Sequence, residues 1–216
     1  MTEDSQLKQN VLDELKWEPS VTAAHIGVTA RNGIVSLSGH VQNYAEKVAA
    51  ESAASRVKGV KAIADELEVR LPFSTKRTDD EIAVAAIGRL DWNVSVPRDA
   101  IKVTVDKGWV TLAGHVDWHF QQEAASRDVR QILGVVGVTN NVRIKPTVSA
   151  SNLDADIARA LSRSWFSSPQ NVYVSSAEGK VTLTGHVNTW HERDVAASTA
   201  WAAPGATDVE NDIKVG

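Results

Sequence analysis

The sequence predicts an α+β protein built from three tandem copies of one αββαβ unit. Three observations support this prediction: a triplet that occurs three times, apolar residues at constant offsets from it, and a switch between helical and strand periodicity within each copy. The triplet is Gly-His-Val, at residues 39–41, 114–116 and 185–187. We therefore expect each copy to form a three-stranded mixed sheet with two helices on one face.

Each copy begins with an amphipathic helix. Apolar residues follow an aspartate at helical spacing, and we interpret the aspartate as the N-cap residue. The aspartates are Asp4, Asp79 and Asp154, and the apolar positions are Leu7, Val11 and Leu15, then Ile82, Ala86 and Leu90, then Ile157, Leu161 and Trp165. Trp165 is therefore expected in the core. Trp17 and Trp92 follow the first helix and are expected to cover one end of the core.

Two strands joined by a tight turn come next. In the first copy Ile26 and Val28, then Val35 and Leu37, alternate with polar residues on either side of a turn that ends in glycine. Glycine adopts positive φ without strain, so this pattern indicates a β-hairpin. Nine glycines recur in register and are expected to have structural roles: Gly33, Gly39, Gly59, Gly108, Gly114, Gly134, Gly179, Gly185 and Gly205.

An alanine-rich helix and a third strand complete the unit. Ala50, Ala53, Ala54 and Val57 follow the i, i+3, i+4, i+7 pattern of a helix with one apolar face. The glycine that follows, Gly59 in the first copy, is expected to be the helix C-cap residue. The crossover connection favours a third strand parallel to the second.

We predict domains over residues 1–72, 79–146 and 153–216, separated by short linkers that contain Pro and Ser. Units of about 65 residues are near the lower size for independent folding, so packing between domains is expected to contribute to stability.

With these motifs in place, the chain resembles the BON domain family, named after bacterial osmotic-stress and nodulation proteins. The motif Gly-x-Val-x-Leu-x-Gly-x-Val occurs at residues 33–41, 108–116 and 179–187. The resemblance covers nearly the whole chain. It implies the αββαβ fold without catalytic residues, and an association with phospholipid or other hydrophobic surfaces, envelope integrity and osmotic or general stress.

Composition narrows the function classes. The formal net charge is -4, which opposes nucleic-acid binding. The chain has no cysteine, which excludes disulfides, thiolate metal sites and a cysteine nucleophile. It also lacks a P-loop, a dinucleotide fingerprint and a nucleophile elbow. We therefore predict no enzyme activity, no cofactor and no nucleic-acid partner.

The N-terminal residues lack the basic and apolar regions of a signal peptide, and no apolar stretch is long enough to span a bilayer. The sequence as written is thus expected to be cytoplasmic, or periplasmic if it is a processed mature form.

Aromatic pairs suggest a ligand or partner surface. Trp118-His119 and Trp190-His191 lie where the second helix begins, and Trp109 of the hairpin is expected nearby. Helix N-termini favour anions, and amphipathic aromatic side chains suit interfaces. The alternative is ordinary packing at the domain rim or a contact between domains.

The three triplet histidines invite a metal hypothesis. His40, His115 and His186 stand at equivalent places in separate domains, so a zinc site would need a specific threefold assembly. A polar residue at the end of the second strand is the favoured interpretation.

Two function hypotheses follow. The leading one is a non-enzymatic module that binds a lipid surface, a hydrophobic ligand or exposed protein segments. The alternative is a cytoplasmic stress-related protein–protein adaptor or chaperone-like scaffold, without a lipid role.

Overall fold

The computed structural model describes residues 3–145, 152–163 and 171–216. Within these ranges the strands form three separate sheets of three strands each. By their contacts the residues group into two compact units, and the boundary between the units passes through the second repeat. Residues 78–87, 104–110 and 128–139 of the second repeat belong with the first repeat, and residues 88–103, 111–127 and 140–145 belong with the third.

The first repeat has the predicted αββαβ order. Its elements are α1 (Glu3–Trp17), β1 (Ile26–Arg31), β2 (Ile34–Val41), α2 (Tyr44–Ser55) and β3 (Ala62–Val69). Strand β2 is central, antiparallel to β1 and parallel to β3. The mixed sheet expected from the crossover connection is therefore confirmed.

The other repeats follow the same plan. The second contains α3 (Asp79–Trp92), β4 (Ile101–Asp106), β5 (Trp109–Val116), α4 (His119–Arg130) and β6 (Gly137–Ile144). The third contains α5 (Leu153–Arg163), β7 (Val172–Ala177), β8 (Lys180–Val187), α6 (Trp190–Trp201) and β9 (Asp208–Val215). In both sheets the middle strand is again the second one. Trp165, which the helical spacing places in the core, lies outside the described residues.

The two helices of a repeat cover one face of its sheet and enclose the core. In the first repeat Val11 and Leu15 of α1 and the predicted alanine face of α2 are fully buried against β2, where Val35 and Leu37 point inward. The third repeat builds the same cluster around Ile157, Val181 and Leu183. Small alanine side chains let the second helix lie close to the strands.

A two-residue turn closes each hairpin. Asn32 and Gly33 have φ of 52° and 83°, the signature of the type I′ turn that matches strand twist. The backbone N–H of Asn32 donates to Asp4 of α1 at 2.8 Å, and those of Lys107 and Gly108 donate to Asp79 of α3 at 2.8 Å each.

The N-cap interpretation of these two aspartates was therefore wrong, because Asp4 lies inside α1 and Asp79 is the first residue of α3. Their carboxylates satisfy turn N–H groups that have no partner in the sheet. Helix α3 is capped instead by Thr78, whose backbone and side chain exchange hydrogen bonds with Glu81 in a capping box.

The C-cap prediction for Gly59 was also wrong. Helix α2 ends at Ser55 with Arg56 as the C-cap residue. Gly59 has φ of 95° within the next turn, which is closed by the bond from Val60 N to Val57 O at 3.2 Å. Gly134 and Gly205 occupy the same turn in the other repeats, with φ of 92° and 96°.

The glycine of each Gly-His-Val triplet is required by close packing. At Gly39, which has φ of 114°, an added Cβ would lie 2.1 Å from the carbonyl oxygen of His25. The chain entering β1 crosses this glycine in van der Waals contact, which explains why the same residue recurs at Gly114 and Gly185.

Candidate functional site

The start of each second helix is a closed arrangement of the protein's own groups. In the first repeat Asn43 accepts a hydrogen bond from the backbone of Glu46, and the buried Glu46 carboxylate accepts from the backbone of Thr22 and Gln42 at 2.7 and 2.8 Å. Thr189 and Glu192 make the corresponding bonds in the third repeat. In the first and third repeats a carboxylate therefore already occupies the helix entry, whereas at the start of α4 the Gln121 amide oxygen accepts from the backbone of Asp117 and Trp118.

The predicted rim residues lie at these helix starts, and several are engaged by neighbouring side chains. The His119 ring stacks on the Trp201 ring of α6, with centroids 4.0 Å apart and planes 11° apart. Burial lowers the pKa of His119, and the nearby Glu123 carboxylate opposes this only in part. The His119 ring thus belongs to a contact between α4 and α6, as the alternative interpretation of the rim predicted.

The other rim residues differ in exposure. The guanidinium of Arg193 lies 5.2 Å from the centroid of the Trp190 ring, a cation–π arrangement that covers part of the indole. Trp118 is half-buried and His191 is exposed. As a group they offer little free aromatic surface.

Trp109 lies at the opposite end of β5 from the other predicted rim residues. It begins β5, whereas Trp118 follows the end of that strand, so the eight residues of β5 separate the two by about 25 Å. The Trp109 ring lies against Gly137, where an added Cβ would meet it at 2.4 Å, and its Nε1 donates to the Thr139 hydroxyl at 2.8 Å. It covers the outer side of its own sheet.

The triplet histidines show no shared site. His40 stacks on His25 of the same repeat, with ring centroids 4.6 Å apart. Over the described part of the chain, no three His, Asp or Glu side chains converge as metal ligands would.

The most exposed tryptophans are two that were expected to cover the core. Trp17 is 84% exposed and Trp92 is 89% exposed, so that expectation was wrong. Each is two residues beyond the last core leucine of its helix, Leu15 or Leu90, and two residues turn an α-helix by about 200°. The helical period that located the core could have shown that both indoles point away from it.

On α3 the exposed tryptophan continues an apolar outer face. Val84 is 73% exposed and lies opposite the buried Ile82, Ala86 and Leu90, and Ile87 is 54% exposed beside that buried stripe. Val84 and Trp92 are eight residues apart, so they fall on one side of the helix. Gly88 lies between them, and an added Cβ there would meet nothing within 4 Å.

The Val84 and Gly88 positions are polar in the other two repeats, whereas Leu12 stands at the Ile87 position of α1, partly buried against the core. In α1 the residues at the Val84 and Gly88 positions are Gln9 and Asp13, which hydrogen-bond to each other at 2.9 Å. In α5 the residue at the Val84 position is Arg159, which pairs with Asp156. The fold therefore does not require apolar residues there.

The loop after α3 extends this face. Asn93 holds the loop by accepting hydrogen bonds from Ser95 N at 2.8 Å and Val96 N at 2.9 Å, and the buried Val96 anchors it to the core. Val94 is left fully exposed. A shallow concavity of about 470 Å³ lies here, lined by Asp91, Trp92, Val94, Arg98 and Asp99. We name Val84, Ile87, Trp92, Val94 and Arg98 the α3 surface.

Comparison with known proteins identifies the family. The BON domain model matches residues 3–70, 78–146 and 149–216. The chain belongs to the BON domain family. This family is not an enzymatic one, and its three matches coincide with the three αββαβ units of the structure.

One curated relative is Osmotically-inducible protein Y of Escherichia coli (strain K12), which is 29% identical over 147 residues, or 66% of this chain and 73% of the relative. Among solved structures, CdsD, a structural protein of the type III secretion system of Chlamydia trachomatis, is 18% identical with a TM-score of 0.27, covering 98% of this chain and 92% of that one. The periplasmic domain of PrgH is 12% identical with a TM-score of 0.22, covering 95% and 99%.

None of the described helices is long and apolar enough to cross a bilayer.

Proposed function

We propose that this chain is a non-enzymatic binding protein whose α3 surface docks on the interfacial region of a phospholipid membrane. The observation that carries the proposal is the difference between three copies of one helix. Val84 is apolar and exposed in α3, whereas the same position carries Gln9 in α1 and Arg159 in α5, each bound to another polar side chain. Because the fold is the same in each repeat, exposed apolar residues in one copy point to a partner rather than to folding.

The composition of the α3 surface suits a bilayer interface. Indole rings partition to the level of the lipid headgroups, and an apolar helix face can lie in the interface plane. Val94 and Trp92 stand at the end of the helix, where they can reach furthest into the acyl boundary. Arg98 is exposed beside them and can pair with a lipid phosphate.

Similarity to Osmotically-inducible protein Y supports a role under osmotic stress. A change in external osmolarity alters the water activity and packing at a membrane surface, so a reversible interfacial binder fits such conditions. Peripheral docking needs no membrane-spanning helix.

The proposal is tested by sedimentation of the full chain with vesicles of phosphatidylglycerol and phosphatidylcholine. Trp92→Ser removes the largest apolar side chain of the surface, and we expect apparent affinity to fall about tenfold, as loss of one buried aromatic implies. Raising the salt concentration should weaken binding to the anionic vesicles by screening Arg98.

Trp17→Ser is the matched control, because Trp17 is equally exposed at the same position of α1 but adjoins a polar helix face. It should change vesicle binding by less than about twofold. Absence of binding to every vesicle composition, or an equal loss in both variants, would contradict the proposal. The first result would favour the protein–protein adaptor hypothesis.

A further inference from the structure

The third repeat contains a groove between its two helices. It has a volume of about 690 Å³, within the range of small-molecule sites. Its lining includes Arg159, Ala160 and Arg163 of α5 and the segment Ala202, Ala203 and Pro204 that follows α6. We name these six residues the repeat 3 groove.

In the first repeat a single arginine bridges the corresponding position. Arg56 follows α2 and reaches across to α1, where its Nε lies 3.1 Å from Glu14 and its Nη2 lies 3.2 Å from Glu18. The residue that follows α6 at the equivalent place is Ala202, and the next two are Ala203 and Pro204 in place of Val57 and Lys58. The bridging side chain is therefore lost, and only small or short groups remain.

The charge of the wall also changes between the two repeats. Arg159 and Arg163 stand where α1 carries Gln9 and Asp13. Arg159 pairs with Asp156, whereas the guanidinium of Arg163 has no hydrogen-bond or ion-pair partner among the residues that the structure describes. From Ile157 to Ala177 the sequence contains no Asp or Glu that could serve as one.

The floor of the groove offers apolar contacts, and the Asp156 carboxylate that also lines the groove is paired with Arg159. Ala160 and Ala203 present methyl groups, and Ala203 packs against the core cluster of the repeat. The hydroxyls of Ser198 and Thr199, which also line the groove, donate to the carbonyl oxygen of Val195 at 3.0 and 2.8 Å. Arg163 is thus the group available to orient a ligand.

We propose that the repeat 3 groove binds a single-chain anionic amphiphile, with its head on Arg163 and its alkyl chain along the alanine floor. An arginine can hold a carboxylate or a phosphate through two parallel N–H···O bonds, so both heads satisfy the same chemistry. The free guanidinium at one side and the apolar floor beside it match the two ends of such a molecule. This site goes beyond the membrane proposal, since it uses a different pair of helices and a monomeric ligand.

The test is isothermal titration of the full chain with dodecanoate below its micelle concentration, at a pH where the carboxylate is ionised. We expect saturable binding of one molecule. Arg163→Asp installs the residue found in α1 and should weaken binding at least about tenfold, because it replaces a charge-assisted bond with repulsion. Dodecyl phosphate should bind with similar affinity, and dodecyltrimethylammonium should not bind.

Two further variants separate the groove from nonspecific charge. Arg31→Asp makes the same change at an exposed arginine of β1 outside the groove and should leave dodecanoate affinity unchanged. Ala160→Leu fills the floor without altering charge and should lower the affinity for dodecanoate, with circular dichroism confirming that the variant folds. Equal binding of the cationic amphiphile, unchanged affinity in Arg163→Asp, or no saturable binding to the wild-type chain would overturn the inference.

Discussion

Helices α1 and α3 occupy the same place in the first and second repeats, and they agree on one side and differ on the other. Both bury three residues at i, i+4 and i+8 against the sheet, and both use an aspartate to hold the hairpin turn. Beyond the core they share an exposed tryptophan and an apolar residue at the Leu12 and Ile87 position. They differ where α1 carries a hydrogen-bonded Gln9–Asp13 pair and α3 carries Val84 and Gly88.

This comparison separates what the fold needs from what one copy adds. The positions that agree are those where backbone geometry or core packing leaves little choice, such as Gly39 and Gly114 or Leu15 and Leu90. The positions that differ are solvent-exposed and cost the fold little when changed. Function in a repeat protein is therefore best sought where equivalent exposed residues diverge in character.

The largest effect on stability is expected at a position where the repeats carry the same residue. Gly39→Ala places a methyl group 2.1 Å from the His25 carbonyl oxygen at a φ of 114°. The entering chain and the central strand must then separate, and we expect the first repeat to lose roughly 3 kcal/mol or more of stability. Hydrogen exchange of the full chain should show faster exchange of amides in β1, β2 and β3.

Gly88→Ala is the matched control for that change. It replaces a helical glycine whose added Cβ meets nothing within 4 Å. Alanine has the higher helix propensity, so the second repeat should gain up to about 1 kcal/mol. Similar losses in the two variants would show that glycine content, not local geometry, explains the shared positions.

A smaller, pH-dependent effect on stability is expected in the first repeat alone, because it contains a pair of neighbouring carboxyl groups. Burial, and next a hydrogen bond with Asp65, raises the pKa of Glu51 to about 7. Burial also opposes ionisation of Asp65, but hydrogen bonds from Glu51, Lys47 and Leu67 outweigh it and lower the pKa of Asp65. The second and third repeats have Ser126 and Ala197 at the Glu51 position, so neither has a carboxyl pair there.

Glu51→Gln should remove a pH dependence that only the first repeat has. Because the pKa of Glu51 is higher in the folded state than its ordinary value near 4.5, its stabilising contribution is complete below that value and is lost as pH rises toward 7. The side chain is half-exposed, so we expect a loss of roughly 1 kcal/mol between these limits. Chemical denaturation monitored by hydrogen exchange should show that the free energy of unfolding of the first repeat falls as pH rises in the wild-type chain and not in the variant.

If the pH dependence of the unfolding free energy persists in Glu51→Gln, another group is responsible. Asp65 contributes in the opposite direction and only at lower pH, since a lowered carboxyl pKa gives stability that is lost as pH falls. The third repeat, with Ala197 at this position, provides an internal reference in the same experiment.

Most of the fold could be predicted from the sequence because it is encoded by local patterns that occur three times. Helical spacing located Leu7, Val11 and Leu15, alternation located Val35 and Leu37, and glycine located the hairpin turns. The predictions that failed were those that required a long-range partner. Asp4 could not be recognised as the acceptor for a turn 28 residues away, and local sequence offers a helix cap as the simpler role.

The candidate site was harder to predict from the sequence than the fold, for a different reason. Tryptophan is usually partly buried, so composition favoured covering the core with Trp17 and Trp92. The pairing of His119 with Trp201 depends on how α4 meets α6, which no local pattern encodes. The outward face of α3 was nevertheless available, since aligning Val84 with Gln9 and Arg159 shows the change from polar to apolar without any coordinates.

The smallest effect on stability, and the sharpest test of the comparison, is a transplant of the α3 face onto α1. Gln9→Val with Asp13→Ala removes an exposed hydrogen bond and leaves Leu7, Val11 and Leu15 in place, so stability should change by less than about 0.5 kcal/mol. Trp17 then adjoins an apolar face as Trp92 does, and vesicle affinity should rise, measured by the same sedimentation assay. An unchanged affinity would mean that Val94 and Arg98, which belong to the loop after α3, are also required, because the exposed helix face alone would not have created a membrane-binding surface.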